Sequence, residues 1–264
     1  MNMLCVGDVI GTVGTKFLAR HLPAIKRKHK VDITIVNGEN SADTNGITPQ
    51  SAEGLFNAGA DCVTGGNHSF KRKEALSLFE GELSERFPVL RPANYPSGVP
   101  GSGVRILDLG RVRIGVINLM GQVFMPEILE CPFKTADRIL KELESELDTK
   151  IIIVDFHAEA TSEKRALANY LDGRVSVVFG THTHVQTADE QVLPGGTGFI
   201  TDAGMTGPVD SVIGCRYEAV LSRFLTRMPA RLDYADGACV INAVLFGVDE
   251  KTGRCLSADR IRIE

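Results

Sequence analysis

Five short apolar runs constrain this chain more than any other feature. Leu4–Asp8, Val31–Val36, Asp61–Thr64, Ile151–Val154 and Val175–Phe179 each end at a polar or glycine-containing tip. Runs of this length, bounded by turn residues, read as strands buried on both faces rather than as helices. Helical stretches separate the first three. One covers Val13–Lys30 and ends in Lys26, Arg27, Lys28 and Lys30, which suits the helix dipole. The next opens at Thr48-Pro49, with Thr48 as N-cap and proline at the first helical position. A third is expected over Arg72–Phe79. Strand–helix alternation of this kind is the signature of a mainly parallel sheet with right-handed crossovers.

The middle of the chain changes character. Pro92–Pro100 is a loop rich in Pro and Gly, and Val104–Leu109 and Val112–Asn118 flank Gly110-Arg111 as a β-hairpin. A helix follows over Thr135–Leu147, with Ile139, Leu140, Leu143 and Leu147 along one face, and another over Ser162–Leu171. Short strands are expected at 190–193 and 198–201, a Gly-rich loop at 203–214, a helix near Tyr217–Leu225, and a closing strand pair at 238–248 and 255–263. Helices at the ends of this pattern and hairpins within it fit an α/β protein with two sheets packed face to face and helices outside. No composition break divides residues 1–264, so a single domain is expected.

Every one of the five runs leads into potential metal ligands: Asp8, Glu39-Asn40, Asn67-His68, His157, and the pair His182 and His184. Each has a plain structural alternative. An Asp at a strand end is commonly a helix N-cap, Asn40 and Asn67 could form left-handed turns, and His157 could be a hydrogen-bonded core imidazole. Together they form a set, because sites in open α/β sheets lie outside the carboxyl ends of the strands. Imidazole with carboxylate and amide oxygen, and no thiolate, suits Fe, Mn or Zn. The ligands outnumber one tetrahedral ion and suit two ions about 3.5–4 Å apart. Glu39 is the natural bridge between them, and the charge left over would attract phosphate oxygens. His182 and His184, two apart in an extended segment, would point the same way with Cβ atoms roughly 6–7 Å apart. Asp155 would face the same side as His157 and either orient an imidazole or cap a turn. Thr206 and Gly207, in the late Gly-rich loop, are candidates for lining a substrate site.

The formal net charge is −4, which argues against a stable nucleic-acid partner bound through a basic face. No apolar run approaches the roughly 20 residues that span a bilayer, and Met1-Asn-Met-Leu-Cys-Val lacks the pattern of a signal peptide. A cytoplasmic protein with no membrane partner is expected. Six scattered cysteines without a Cys-x-x-Cys pair exclude a zinc ribbon, and Cys5, Cys62 and Cys239 lie in strand-like runs as small core residues. Gly7-Asp-Val-Ile-Gly11-Thr-Val-Gly14 has the outline of a dinucleotide-binding turn. It fails because Val9 stands where glycine is needed and Asp8 would face the pyrophosphate.

Gly7-Asp8, Gly38-Glu39-Asn40, Gly66-Asn67-His68, His157 and Gly180-Thr-His182-Thr-His184 resemble, in order and spacing, the motifs of the calcineurin-like metallophosphoesterases. Longer stretches, among them Asn-Gly-Glu-Asn and Thr-Asp-Ala-Gly-Met-Thr-Gly-Pro, are similar to the YmdB-type bacterial branch over essentially the whole chain. The resemblance implies a four-layer αββα sandwich of two mixed β-sheets and a dinuclear centre. It also implies phosphodiesterase activity that includes 2′,3′-cyclic nucleotides. On its terms Asp8, Glu39, Asn40 and His184 hold one ion, and Glu39, Asn67, His157 and His182 the other. His68 protonates the leaving oxygen after attack by metal-activated hydroxide. Three departures from the wider superfamily stand out: Ile10 where it has histidine, Glu39 where it has aspartate, and Ser69 where an acid follows Asn-His. Asn40 takes the place of the missing histidine. The expected cofactor is two transition-metal ions, iron first, with manganese or zinc as alternatives. The expected partner is a small phosphodiester, and the chain leaves room for a homo-oligomer. The alternatives are a catalytically weak signalling or binding module on the same scaffold, and a phosphomonoesterase or nuclease.

Overall fold

The computed structural model describes residues 1–146 and 151–264. In chain order the elements are β1 (Asn2–Val6), β2 (Asp8–Val9), α1 (Gly11–His29), β3 (Ile33–Asn37), α2 (Pro49–Ala58), β4 (Cys62–Thr64), α3 (Leu76–Phe79) and α4 (Glu82–Arg86). Then come β5 (Val104–Asp108), β6 (Arg113–Met120), α5 (Pro132–Glu146), β7 (Ile152–His157), α6 (Thr161–Leu171), β8 (Val177–Thr181), β9 (Gln191–Val192) and β10 (Gly198–Ile200). β11 (Met205–Pro208), α7 (Tyr217–Thr226), β12 (Cys239–Val248) and β13 (Cys255–Ile263) complete the chain.

Two mixed sheets result. The first has the order β2-β11-β12-β1-β3-β4, with β13 on the other edge of β12. The second has the order β5-β6-β7-β8-β10-β9. In the second sheet β6, β7, β8 and β10 are parallel, while the hairpin strand β5 and the short β9 close its edges antiparallel. Period-two alternation sorts side chains into three apolar layers. On β1, Met3 and Cys5 enter the layer between the sheets with Ile33, Ile35, Ile153, Val177 and Phe179. Leu4 and Val6 face the opposite way, into the layer under α1 and α2 with Leu18, Leu22 and Leu55. On β7 the same alternation puts Ile152, Val154 and Phe156 under α5 and α6, with Ile139, Leu143 and Leu167. Each such side chain contributes about 1.5–3 kcal/mol when fully buried. The αββα sandwich expected from the sequence is therefore the observed fold.

Local signals place most elements. Thr48 Oγ1 accepts from Ser51 N at 3.2 Å and Ser51 Oγ from Thr48 N at 3.0 Å, a reciprocal cap at the start of α2. Cys5, Cys62 and Cys239 are buried as expected. Three readings need correction. The stretch expected as one helix over Arg72–Phe79 starts as a 3-10 turn, Lys73–Ala75, and becomes α3 only at Leu76. The expected loop at 203–214 contains β11, because β2 and the Cys239–Ile241 end of β12 offer it hydrogen-bonding edges on both sides. Thr206 and Gly207 consequently lie buried within a sheet, Gly207 against Ile10, and do not line an open site. Leu147, the last apolar position expected along α5, lies outside the described residues. Among the described residues no helix is long and apolar enough to cross a membrane.

Candidate metal centre

The layer between the sheets turns polar at the carboxyl ends of the strands without changing its alternation. Two residues beyond Ile35 stands Asn37, beyond Cys62 Thr64, beyond Val116 Asn118, beyond Ile153 Asp155 and His157, and beyond Phe179 Thr181; all are buried. Asp155 is fully buried and accepts from Thr64 Oγ1 (2.5 Å), Thr181 Oγ1 (2.8 Å) and Asn37 Nδ2 (3.1 Å). Burial pushes its carboxyl up to about 6, against the pull of His157 and the three donors. It caps no turn. Its partners come from three strands, β3 and β4 of the first sheet and β8 of the second, so it ties the base of the site together.

Above this base the predicted residues converge. Asp8 opens β2, just past Gly7, where a Cβ would stand 1.8 Å from the Gly204 carbonyl; only glycine lets the two segments cross so closely. Asp8 is not a helix cap, since α1 has no side-chain cap. It is fully buried, Oδ2 accepts from His182 N at 3.0 Å, and Oδ1 has no hydrogen-bond partner among the described residues. Glu39, 1% exposed, lies between the two halves. Its Oε2 accepts from His68 N at 2.9 Å, and its Oε1 lies 3.3 Å from both His157 Nε2 and His68 Nδ1. Asn67 Oδ1 is 3.0 Å from His157 Nε2, and His182 Nδ1 is 3.1 Å from the same nitrogen. His184 Nε2 stands 3.5 Å from Asp8 Oδ1 and 3.4 Å from Asn40 Nδ2. Gly66 makes room for this cluster: a Cβ there would lie 2.3 Å from Glu39 Oε2 and 2.4 Å from His157 Nε2.

Fixed acceptors set the orientation of each imidazole. The Thr181 hydroxyl donates to Asp155, so at 2.9 Å it accepts from His157 Nδ1–H. His184 Nδ1 donates to the Ile213 carbonyl at 2.8 Å. His182 Nε2 faces Glu159 Oε2 at 3.1 Å. Each outer nitrogen is thereby committed, and each inner nitrogen turns toward Asp8, Glu39 or another imidazole. A cluster of acceptors facing one another this closely requires a positive charge among them. Without an ion, a proton on His157 would fill that role. Burial disfavours charge on His157, but Glu39, Asp8 and Asp155 outweigh it and push its pKa up to about 9. Burial, with the His157 charge adding to it, drives His182 down to about 3. Burial would raise Asp8 and Glu39, yet His184 beside Asp8, and His157 and His68 beside Glu39, hold both below the usual carboxylate range.

The same residues could hold a divalent ion. Glu39, His157 and His182 offer three ligand atoms within 4.8 Å of one another, and the orphaned Asp8 Oδ1 offers another beside His184. Asn40 is the exception in orientation. Its Oδ1 faces His68 Nδ1 at 2.9 Å, and its Nδ2 donates to Glu39 Oε1 at 3.0 Å, so its nitrogen points at the cluster. Neither Asn40 nor Asn67 has a left-handed backbone, but His182 (φ 97°) and His184 (φ 65°) do. The two histidines are therefore not an extended pair facing one way. The loop bends so that His182 turns to His157 and His184 to Asp8. His157 itself, expected just beyond its strand, closes β7.

Several contributors were missed in the sequence: Thr181 and Glu159, which orient His157 and His182, and the buried pair Lys164 and Asp202. Glu159 follows His157 by two residues, and that spacing was the one available signal. Thr181 carried none, because a hydroxyl at a strand end is ordinary. Two cavities of about 510 and 870 Å³ share Thr12, Lys16 and Asp43 along the start of α1. Tyr234 in the larger one extends its hydroxyl to within 3.4 Å of Asn40 Oδ1.

The family profile described as YmdB-like protein matches residues 4–261. A 2′,3′-cyclic-nucleotide 2′-phosphodiesterase of Bacillus subtilis is 42% identical over 263 residues, covering 100% of this chain and 97% of that protein. A Thermus thermophilus crystal structure of a hypothetical protein superposes with a TM-score of 0.90 at 41% identity, covering 100% of this chain and 99% of that one. The crystal structure of a Mycoplasma pneumoniae protein described as a novel phosphatase superposes with a TM-score of 0.89 at 34% identity, covering 100% and 93%. With the profile spanning nearly its full length and these relatives matching it end to end, the chain belongs to the family of YmdB-like proteins.

Proposed function

We propose that this chain is a metal-dependent phosphodiesterase that hydrolyses small phosphodiesters, 2′,3′-cyclic nucleotides among them, at a centre of two transition-metal ions. The observation that carries the reading is the orientation of three imidazoles, each tied by its outer nitrogen, with the inner nitrogen of His157 aimed at Glu39, that of His184 at Asp8 and that of His182 at His157. The relatives support the reaction class, since the Bacillus subtilis protein is named for it. Asp8 and His184, with Asn40, would hold one ion, and Asn67, His157 and His182 the other, with Glu39 between them. For Asn40 to serve through oxygen, the two ends of its amide must exchange. Iron suits the donor set best, with manganese or zinc as alternatives.

Bound there, divalent ions would polarise phosphoryl oxygens and lower the pKa of water. The remaining work falls to the chain. Asp155 and Thr181 hold His157, Glu159 holds His182, and the Ile213 carbonyl holds His184. With the Asn40 amide exchanged, its Nδ2 turns to His68 Nδ1, which then accepts, so the ring proton sits on Nε2, where it can pass to the departing oxygen. The His68 side chain is 26% exposed, the most open of the four imidazoles, as a group that meets substrate must be. The whole of residues 1–264 is taken as one domain acting in the cytoplasm, with no membrane or polynucleotide partner.

The test is turnover of bis(p-nitrophenyl) phosphate and 2′,3′-cyclic AMP after reconstitution with Fe²⁺ or Mn²⁺. His68→Ala should lower kcat by about 10²–10⁴-fold with metal content unchanged. A reconstituted wild type that cleaves no phosphodiester would overturn the proposal and favour a binding module on the same scaffold.

A further inference from the structure

Lys164, on α6, is 1% exposed, and Asp202, just after β10, is fully buried. Lys164 Nζ donates to Asp202 Oδ2 at 2.6 Å and to the Thr181 carbonyl at 2.8 Å. Asp202 Oδ2 also accepts from Thr183 N at 3.1 Å and Thr183 Oγ1 at 2.8 Å, while Oδ1 accepts from Gly204 N at 2.8 Å. The Gly204 carbonyl in turn accepts from Asp8 N at 3.0 Å. None of these contacts involves a candidate ligand side chain, and taking an ammonium and a carboxylate out of water is costly. An apolar pair would fill the same space without that cost, so stability alone does not account for the ion pair.

What the pair does is local. It grips the residues on both sides of His182, through the Thr181 carbonyl and the Thr183 N–H and hydroxyl. Thr183 is also the residue between two histidines whose positive φ angles are unfavourable for side chains of their shape. Through Gly204 the same carboxylate reaches the backbone of Asp8, across the gap from the second sheet to the first. We propose that Lys164 and Asp202 are positioning residues. Their buried ion pair would hold the 181–184 loop in its strained form, so that His182 Nδ1 faces His157 and His184 Nε2 faces Asp8 before any ion arrives. This rests on the metal-centre reading above.

Two double variants separate positioning from simple core filling. Lys164→Met with Asp202→Leu replaces the pair by apolar groups. Lys164→Met with Asp202→Asn removes both charges, the Lys164 bond to the Thr181 carbonyl and the Gly204 contact, but keeps a carbonyl oxygen for Thr183. Mn²⁺ affinity is measured by competition with a chromophoric chelator, and thermal melting is measured on the same metal-free proteins. The Leu variant should lose about 10–100-fold in Mn²⁺ affinity, as expected when a group orienting a ligand is removed, and the Asn variant, which keeps the Thr183 bonds, should lose less than the Leu variant. Wild-type affinity in the Leu variant, or equal loss in both at matched melting temperature, overturns the proposal. If the Leu variant does not fold, Thr183→Val removes one of the two loop bonds to Asp202. Weakened Mn²⁺ binding in that variant supports the proposal, and unchanged binding overturns it. A wild type that binds no Mn²⁺, Fe²⁺ or Zn²⁺ would instead sink the metal-centre reading itself.

Discussion

Thr181→Val is the sharpest probe of the base of the site, because valine keeps the shape of threonine and removes only the hydroxyl. That hydroxyl is the partner of His157 Nδ1 at 2.9 Å and the donor to Asp155 Oδ1 at 2.8 Å, both at fully buried groups. The other two donors to Asp155, Thr64 and Asn37, act on Oδ2 and cannot replace it. The substitution therefore leaves one buried N–H and one buried carboxylate oxygen unpaired. At about 1–3 kcal/mol each, the metal-free protein should lose roughly 2–6 kcal/mol. For a chain of this size that corresponds to a fall in Tm of roughly 5–20 °C. Metal affinity should fall about 10–100-fold, because His157 is no longer held with its inner nitrogen toward Glu39. Thr181→Ser restores the hydroxyl and should recover the affinity to within about threefold. Calorimetric melting of the metal-free protein and a Mn²⁺ titration read both effects. A valine variant with wild-type affinity and a Tm within about 2 °C would refute the Asp155–Thr181–His157 relay.

The two histidines of the bent loop should differ. Among the described residues His184 is the one imidazole whose ring nitrogen faces Asp8, whereas His182 shares its side with His157. Metal analysis should show His184→Ala emptying its ion position more completely than His182→Ala empties the other, and equal loss would count against the assignment. Proton competition supplies another check. The His157 pKa is raised from its ordinary 6.5 to about 9, so its contribution to metal-free stability is complete below pH 6.5 and is lost as pH rises through about 9. An ion must displace that proton. The Tm of the metal-free protein should fall across this window while Mn²⁺ affinity climbs, and a flat affinity profile would contradict the protonated state of the empty site.

Much of the site was legible in the chain because it depends on short-range order. Period-two spacing put Asp155 on the same side as His157, and turn residues marked where each apolar run stops. Those two signals located Asp8, Glu39, Asn67, His157 and the 182–184 pair at one end of two sheets. They failed where long-range pairing decided the backbone. β11 exists because β2 and β12 leave it two open edges, and neither edge is visible within 203–214. The extended geometry assumed for His182 and His184 was wrong for the same reason, since contacts from Lys164 and Asp202 hold that loop bent.

The sequence by itself determined which residues could ligate and which strands carry them, because side-chain chemistry and strand periodicity are properties of neighbours in the chain. Only the tertiary structure decided which nitrogen of each imidazole faces inward. That choice belongs to Thr181, Glu159 and the Ile213 carbonyl, and all three contacts span more than 20 residues of chain. A hydrogen-bond acceptor of this kind leaves no periodic trace in the sequence, yet it directs the imidazole lone pairs into the cleft between the sheets.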